Sequence, residues 1–306
     1  MSVSSAIPAK NAADQALQRQ LARYRVGKVA ATIVSYAGLL FYLFICIYPF
    51  LWMISSALKS NQEVLTSNSL IPKQIHFEVL IDVWNRLHFW TYFQNSLIIS
   101  VAVVIGVTII YSLAGYGFSK TRFAGKEFMY VFFLGLMVIP QVTILVPLVQ
   151  ELRAFGLIGR EASKFSTYLG LIIPMINGGG PFAIFLFRSY FNSLPGELRD
   201  AALIDGCNEL GVYWKIFLPL ALPAMATVGI MNFIGTWNSF VFPSVVLNNP
   251  DWYTLPIQLR QLDLQTIIQW NVRMAGSLFT VIPVIITFVL LQRYYIRGLT
   301  AAAVKG

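Results

Sequence analysis

Six stretches of this sequence are apolar for about 20 residues or more, the length at which a helix crosses the hydrocarbon core of a bilayer. Only 11% of the 306 residues are charged and 57% are hydrophobic, whereas an average soluble domain is about 25% charged. We therefore predict an all-α, polytopic membrane protein with six transmembrane helices. The predicted spans are Val29–Leu58, Phe93–Ser119, Phe128–Gln150, Phe165–Phe187, Ile216–Leu247 and Met274–Leu291.

The distribution of basic residues predicts which ends of the spans face the cytoplasm. With the N-terminus inside, 14 of the 22 Lys and Arg residues lie on the cytoplasmic side, as the positive-inside rule requires. An even number of spans then places both termini in the cytoplasm. The basic residues assigned to this side are Lys10, Arg19, Arg23, Arg25, Lys28, Lys120, Arg122, Lys126, Arg188, Arg199, Lys215, Arg293, Arg297 and Lys305.

This topology divides the chain into a basic cytoplasmic tail at residues 1–28, a transmembrane domain at residues 29–297 and a cytoplasmic tail at residues 298–306. The basic N-terminal tail is suited to contact anionic membrane lipid, and we prefer this interpretation to nucleic-acid binding. Cys46 falls within the first span and Cys207 on the cytoplasmic side, so no disulfide is expected. The two histidines have no partner at metal-ligand spacing, and we predict no metal site.

None of the six apolar runs contains Asp, Glu, Lys, Arg or His. Carriers that use proton or ion coupling usually keep such a charge within the membrane. The polar groups inside these runs are neutral. In the fifth run, Asn232, Thr236 and Ser239 stand at i, i+4 and i+7, which predicts one helical face, with Trp237 and Asn238 beside it.

Two interpretations of this stripe remain open. The polar residues could only bond neighbouring helices, or they could line a path for a solute. Amides and hydroxyls beside an aromatic ring suit a neutral, hydroxylated solute better than an ion. We expect a path, and the candidate residues are Asn177, Asn232, Thr236, Trp237, Asn238 and Ser239.

The segment between the fourth and fifth runs has the pattern of a short helix on the cytoplasmic side. Pro195 is suited to open this helix, and Glu197 and Asp200 would complement the dipole near its N-terminal end. Gly206 is well placed to end it after two to three turns.

We expect Leu198, Ala201 and Ala202 to share one face of this short helix, where the small alanines would let another surface approach closely. After the glycine, apolar residues recur at i, i+3, i+4, i+7 and i+8. This spacing predicts an amphipathic helix at the membrane interface that leads into the fifth span. Its apolar residues are Leu210, Tyr213, Trp214, Phe217 and Leu218.

The run Asp200-Ala201-Ala202, then Gly206, then Ile216-Phe217-Leu218-Pro219 resembles the EAA signature of the membrane subunits of bacterial ABC importers, with Asp in place of the usual Glu. The resemblance covers nearly the whole chain and narrows to the permeases of carbohydrate importers of the maltose and glycerol-phosphate type. The chain departs from that pattern in REASKFSTY before the fourth run and in NGGGP within it. The stretches that carry the resemblance are NSLIIS, AGYGFSKTRFAGK, IPQVTILVPL, FGLIG, LRDAALIDG, GTWNSFVFP, YTLPIQL and RGLTAAAVKG.

This resemblance implies the MetI-like fold of an ABC importer permease, and it makes residues 192–217 a coupling segment. In the family, the coupling helix docks in a groove of a cytoplasmic ATPase subunit. The residues to which the resemblance gives this role are Glu197, Asp200, Ala201, Ala202, Asp205 and Gly206.

The chain has no GxxxxGK[ST] motif for binding nucleotide phosphates, so we predict a transport subunit that is not itself an enzyme and holds no cofactor. ATP and Mg would be used by partner ATPase subunits. The resemblance implies a second permease subunit, two ATPase subunits and an extracytoplasmic solute-binding protein, in a bacterial inner (plasma) membrane. The alternatives are a permease for peptides or amino acids, which shares the EAA segment, and, less favoured, a secondary carrier or a membrane enzyme.

Overall fold

The structure is a computed structural model that describes residues 7–86, 88–262 and 269–303. Residues 1–6 of the predicted N-terminal tail and residues 304–306 of the C-terminal tail lie outside the described residues. The described parts of the chain are helices joined by turns and short 3-10 segments. The helices are α1 (Ile7–Ala57), α2 (Asn61–Thr66), α3 (Glu78–Arg86), α4 (Phe89–Lys120), α5 (Lys126–Gly135), α6 (Leu145–Ala154), α7 (Lys164–Ser193), α8 (Glu197–Ile204), α9 (Glu209–Val212), α10 (Leu218–Leu220), α11 (Leu222–Trp237), α12 (Val241–Val246), α13 (Leu255–Leu262) and α14 (Trp270–Ala303).

Four of these helices are long and apolar enough to cross a bilayer unbroken, and each coincides with a predicted span. A helix satisfies its backbone hydrogen bonds internally, which hydrocarbon requires. The spanning parts are Gly27–Ala57 of α1, Phe89–Lys120, Lys164–Ser193 and Trp270–Gln292 of α14. Both α1 and α14 extend past these spanning parts, so the described parts of the two predicted tails are helical.

The third predicted span is a bent pair of helical segments instead of one helix. Lys126–Val138 and Gln141–Ala154 meet at 89°. Pro140 lies at the bend and has no N–H to continue the hydrogen-bond pattern. Its ring also disfavours helical backbone at the preceding residue, and Ile139 is accordingly extended.

The fifth predicted span is interrupted twice, so Ile216–Leu247 is not a single helix. The stretch Glu209–Leu220 meets α11 at 76°, at a bend flanked by Pro219 and Pro223. A second break follows Trp237, where α11 ends. If each bent pair is one span, the structure has the six spans that the sequence predicts.

Helix α4 lies at the centre of the bundle, packed along α7 and against α11, and α14 packs on α11 and α1. The contact between α4 and α7 is close at Gly115, where an added Cβ would lie 2.4 Å from the Phe187 Cβ. Small residues let membrane helices approach in this way. By contrast, residues 29–50 of α1 are exposed in the isolated chain.

Candidate functional site

The short helix predicted on the cytoplasmic side is present as α8, which has eight residues and carries Glu197 and Asp200 in its first turn. It ends in a Schellman motif, in which the Cys207 N–H bonds the Ala202 carbonyl at 3.0 Å and the Gly206 N–H bonds a carbonyl three residues back at 3.1 Å. Gly206 has φ +84°, a backbone conformation that favours glycine. The predicted helix length and the predicted glycine stop are therefore confirmed.

One face of α8 and its C-cap is exposed along its length. Its five residues follow the spacing i, i+3, i+4, i+7 and i+8, and they combine three carboxylates with an alanine and an isoleucine that is 87% exposed. We call this set the docking face. Its members are Glu197, Asp200, Ala201, Ile204 and Asp205.

The expectation that both alanines would be open to another surface is corrected for Ala202. Ala201 is exposed on the docking face, whereas Ala202 is only 5% exposed and packs into the core. Of the predicted contact residues, Ala202 therefore packs α8 against the core of the protein.

The amphipathic stretch after the glycine is present as α9, a single π-helical turn at Tyr213–Phe217, and α10. Tyr213 and Phe217 are fully buried, as predicted for an apolar face, while Leu210 and Trp214 remain about half exposed. The buried rings pack against Tyr116 of α4, with centroid distances of 5.6 and 5.2 Å. The coupling segment is therefore anchored on the bundle.

An ion pair joins the docking helix to the stretch that follows it. Arg199 bonds both oxygens of the Glu209 carboxylate, through Nη2 to Oε1 and through Nε to Oε2 at 3.3 Å. The hydrogen bonding that Arg199 donates to Glu209 is the main cause that raises the pKa of Arg199 above its ordinary value. Tyr116 donates a further hydrogen bond to Glu209 Oε2, at 2.9 Å.

Halfway along α7, the run Gly178–Gly180 makes room for polar side chains from three other parts of the bundle. An added Cβ on Gly178 would lie 2.9 Å from Gln141 Nε2, one on Gly179 would lie 2.3 Å from Asn232 Oδ1, and one on Gly180 would lie 2.3 Å from the Tyr111 ring. Any larger residue in the run would displace these groups.

The Tyr111 hydroxyl also donates to Asn177 Oδ1, at 3.3 Å. We call Tyr111, Gln141, Asn177 and Asn232 the path cluster. Asn177 and Gln141 are exposed and the other two are half-buried. The amide of Asn232 donates to the Val228 carbonyl at 2.9 Å, which leaves its carbonyl oxygen directed at the glycine run.

The predicted polar stripe of the fifth span is shorter than its spacing indicated. Asn232 and Thr236 lie on α11 and are half-buried, but α11 ends at Trp237, so the i+7 position of Ser239 is not on the helix. Asn238 is exposed and its amide bonds the carbonyl of Ile234 at 3.0 Å.

Trp237 does not border an open path in the structure. Its side chain is 1% exposed, its ring stacks on Phe233, and its indole N–H donates to the Thr280 carbonyl of α14 at 3.0 Å. A buried Trp that has found a hydrogen-bond partner is a packing residue. The expectation that Trp237 flanks a path is therefore corrected.

Tyr111 was missed by sequence reasoning, and Gln141 was not assigned to the path. The signal that could have found them is NGGGP, because three glycines in the middle of an apolar span leave space that another element must fill. Nothing in the sequence pattern alone indicates that α4 and the bend before α6 supply the filling side chains.

In the described part of the chain, four unbroken apolar helices and two bent helix pairs define a polytopic membrane protein. Residues 106–301 match the family described as "Binding-protein-dependent transport system inner membrane component". The chain belongs to this family. The match confirms the predicted fold class and the prediction of a transport subunit that is not an enzyme. The family also implies a partner ATPase and a solute-binding protein.

Relatives and a solved structure agree with this assignment. The chain is 38% identical over 271 residues to the probable ABC transporter permease protein YurM of Bacillus subtilis, covering 88% of this chain and 87% of the relative. It is 34% identical over 273 residues to the arabinooligosaccharides transport system permease protein AraQ of Halalkalibacterium halodurans, covering 88% and 95%. It is also similar to a chain of a bacterial ABC transporter involved in the import of the acidic polysaccharide alginate, with a TM-score of 0.75, 26% identity, and coverage of 86% and 95%.

Proposed function

We propose that this chain is the permease subunit of an ATP-driven importer of a sugar or oligosaccharide. The observation that carries the proposal is its similarity, over nearly its whole length, to a permease named for arabinooligosaccharides. The path cluster supports it, because its four members are uncharged amides and a phenol that match the hydroxyl groups of a neutral sugar. A peptide or amino-acid solute is the principal alternative.

We propose that the docking face is the surface on which the ATPase subunit acts to power transport. We infer that the ATPase subunit receives α8 in a groove, with Ile204 at the centre of the contact and three carboxylates around it. Apolar residues within a ring of polar groups are the usual anatomy of such an interface. ATP and Mg would be bound by that subunit, and this chain would hold no cofactor.

The complete machine would contain a second permease subunit, two ATPase subunits and an extracytoplasmic solute-binding protein. We propose that both termini and the docking face lie on the cytoplasmic side of a bacterial inner membrane. Support comes from the basic residues near α8. Lys120 bonds the Leu194 carbonyl after α7, Lys126 bonds two carbonyls at the end of α4, and Arg188 pairs with Glu127 at 2.6 Å.

The test is uptake by the whole complex in proteoliposomes with the binding protein supplied. We expect labelled oligosaccharide to enter only when ATP is present, and a protonophore to have no effect. Uptake without nucleotide that collapses with the protonophore would identify a secondary carrier instead. Uptake of labelled peptides in place of oligosaccharides would contradict the sugar assignment.

A further inference from the structure

Polar side chains recur every fourth residue at the end of α4 nearest the docking helix. Ser112, Tyr116 and Lys120 stand at i, i+4 and i+8, so they lie on one helical face. Such side chains are costly in a membrane helix unless they are bonded. Each of the three has a partner in the coupling segment at residues 192–217, and Ser112 also donates to the Ile109 carbonyl of its own helix at 3.2 Å.

One of the three bonds reaches the coupling segment before the docking helix, and the other two reach it after that helix. The Lys120 ammonium donates to the Leu194 carbonyl at 2.7 Å. The Tyr116 hydroxyl donates to Glu209 at 2.9 Å. The Ser112 hydroxyl oxygen lies 2.6 Å from the Tyr213 hydroxyl oxygen. We call these bonds the polar ladder.

The polar ladder is embedded in close apolar packing. Ser112 is fully buried and Tyr116 is 3% exposed. The Lys120 ammonium lies 5.4 Å from the centre of the Phe217 ring, and the Tyr116 and Phe191 rings meet edge to face at 6.0 Å. Since a hydrogen bond in such surroundings is costly to leave unmade, the three bonds should break together or remain together.

The middle bond of the polar ladder is shared with the docking helix. The Glu209 carboxylate accepts from Tyr116 of α4 and from Arg199 of α8 at the same time. Arg199 is the only residue of α8 with a basic side chain, and it lies next to Asp200 of the docking face. Glu209 thus joins the docking helix to α4 through side chains alone.

At its other end, the polar ladder adjoins the path cluster. Tyr111 precedes Ser112 in the chain, and its ring lies against Gly180 while its hydroxyl bonds Asn177. A displacement of α4 as a unit would therefore displace the Tyr111 side chain, which bonds Asn177 of the path cluster.

We propose that the polar ladder makes α8 and the adjoining half of α4 one rigid unit, in which Glu209 is the positioning residue. Movement of the docking helix then moves α4 and Tyr111 with it. This inference rests on the proposed function, because it supposes that the docking face receives the motion of an ATPase.

The first experiment measures solute imported per ATP hydrolysed in the reconstituted complex. Glu209→Gln keeps the shape of the side chain and removes its charge, and we expect the ratio to fall about 5- to 10-fold, near the low end of coupling free energies. The complex should still co-purify with its ATPase. Glu127→Gln is the matched control, because it breaks another Arg–Glu pair on the same side, and its ratio should stay unchanged.

A second set of variants separates positioning from loss of structure. If Glu209→Gln fails to assemble, Tyr116→Phe removes one hydroxyl and the same bond, and a normal ratio in Tyr116→Phe overturns the proposal. The exchange Arg199→Glu with Glu209→Arg should restore part of the ratio that either substitution alone removes. Equal ratios in the single and exchanged variants would contradict a link through this ion pair.

A distance measurement tests the rigid unit directly. Spin labels at Leu113→Cys of α4 and Leu210→Cys of the coupling segment, in a chain without Cys46 and Cys207, should keep one distance with and without ATP. In the Glu209→Gln variant, the distribution of that distance should broaden. A wild-type distance that changes on adding ATP overturns the proposal. If the wild-type complex hydrolyses ATP but imports no sugar, the proposed function is wrong. The distance measurement still tests whether the polar ladder makes one rigid unit.

Discussion

Two polar clusters lie side by side on α4 and differ in how firmly their groups are held. In the polar ladder, the bonds are 2.6 to 2.9 Å long; the bond between Ser112 and Tyr213 is buried and the other two are partly buried. In the path cluster, the hydroxyl of Tyr111 reaches Asn177 at 3.3 Å, and Asn177 and Gln141 are exposed. With the roles proposed above, the difference separates two tasks: groups that transmit a movement are satisfied within the chain, whereas groups that receive a solute keep hydrogen-bonding capacity free.

The largest effect should follow from straining the turn that ends the docking helix. Gly206 has φ +84° and no atom near its missing side chain, so Gly206→Val acts through backbone strain of on the order of 1 to 3 kcal/mol. We expect the complex to insert into the membrane normally and to lose substrate-stimulated ATP turnover.

The control for this variant is Gly125→Val. Gly125 has φ +75°, is equally free of neighbours and lies before α5, outside the coupling segment. Comparable strain there should leave stimulation intact. If both variants lose stimulation alike, the effect of Gly206 is general strain and not a property of docking.

The next largest effect on coupled transport should distinguish a packing role from a path role within α11. Trp237→Ala removes a buried ring and its bond to Thr280, which typically costs about 3 to 5 kcal/mol for an aromatic core residue. We expect both the amount of assembled complex and the transport to fall together. Detergent-solubilised yield and uptake, measured on the same preparation, check this.

Asn232→Leu should give the opposite pattern, with transport reduced and assembly nearly normal, because the amide of Asn232 donates to the Val228 carbonyl of its own helix and its oxygen faces the glycine run. Parallel losses of assembly and transport in Asn232→Leu would show that this residue has a packing role and does not line a path.

What the sequence predicts well is set by neighbours in the chain. The start of α8 after Pro195 and its end at Gly206 follow from local backbone chemistry, and the bends follow from prolines that remove a donor. The sequence predicts poorly those features that depend on which helix packs against a given residue. From the sequence, Trp237 looks like a path residue, because nothing shows that α14 packs against its indole. Tyr111 likewise has no polar neighbour in the sequence, because its contact with the glycine run depends on how α7 packs on α4.

A smaller effect is expected from single methyl groups in the glycine run. Gly179→Ala would push the Asn232 amide out of its position, since the added carbon would lie 2.3 Å from Oδ1. Because that amide is the end of a flexible side chain, we expect normal assembly and an altered Michaelis constant for uptake. Gly235→Ala is the control, since nothing lies within 4 Å of its added carbon. An unchanged Michaelis constant in Gly179→Ala would remove the glycine run from the path.

The smallest perturbation, and the sharpest test of the comparison, is single cysteines in a chain without Cys46 and Cys207. Groups in the path cluster should meet water during transport, whereas ladder groups should stay dry. Cysteines at Asn177 and Asn232 should therefore react with a water-soluble thiol reagent at rates that change when ATP or solute is added. Cysteines at Ser112 and Trp237 should stay unreactive in every state. If the cysteine replacing Asn232 is as inert as the one replacing Ser112, that part of α11 is sealed among helices, because a side chain at this depth must face either protein or water.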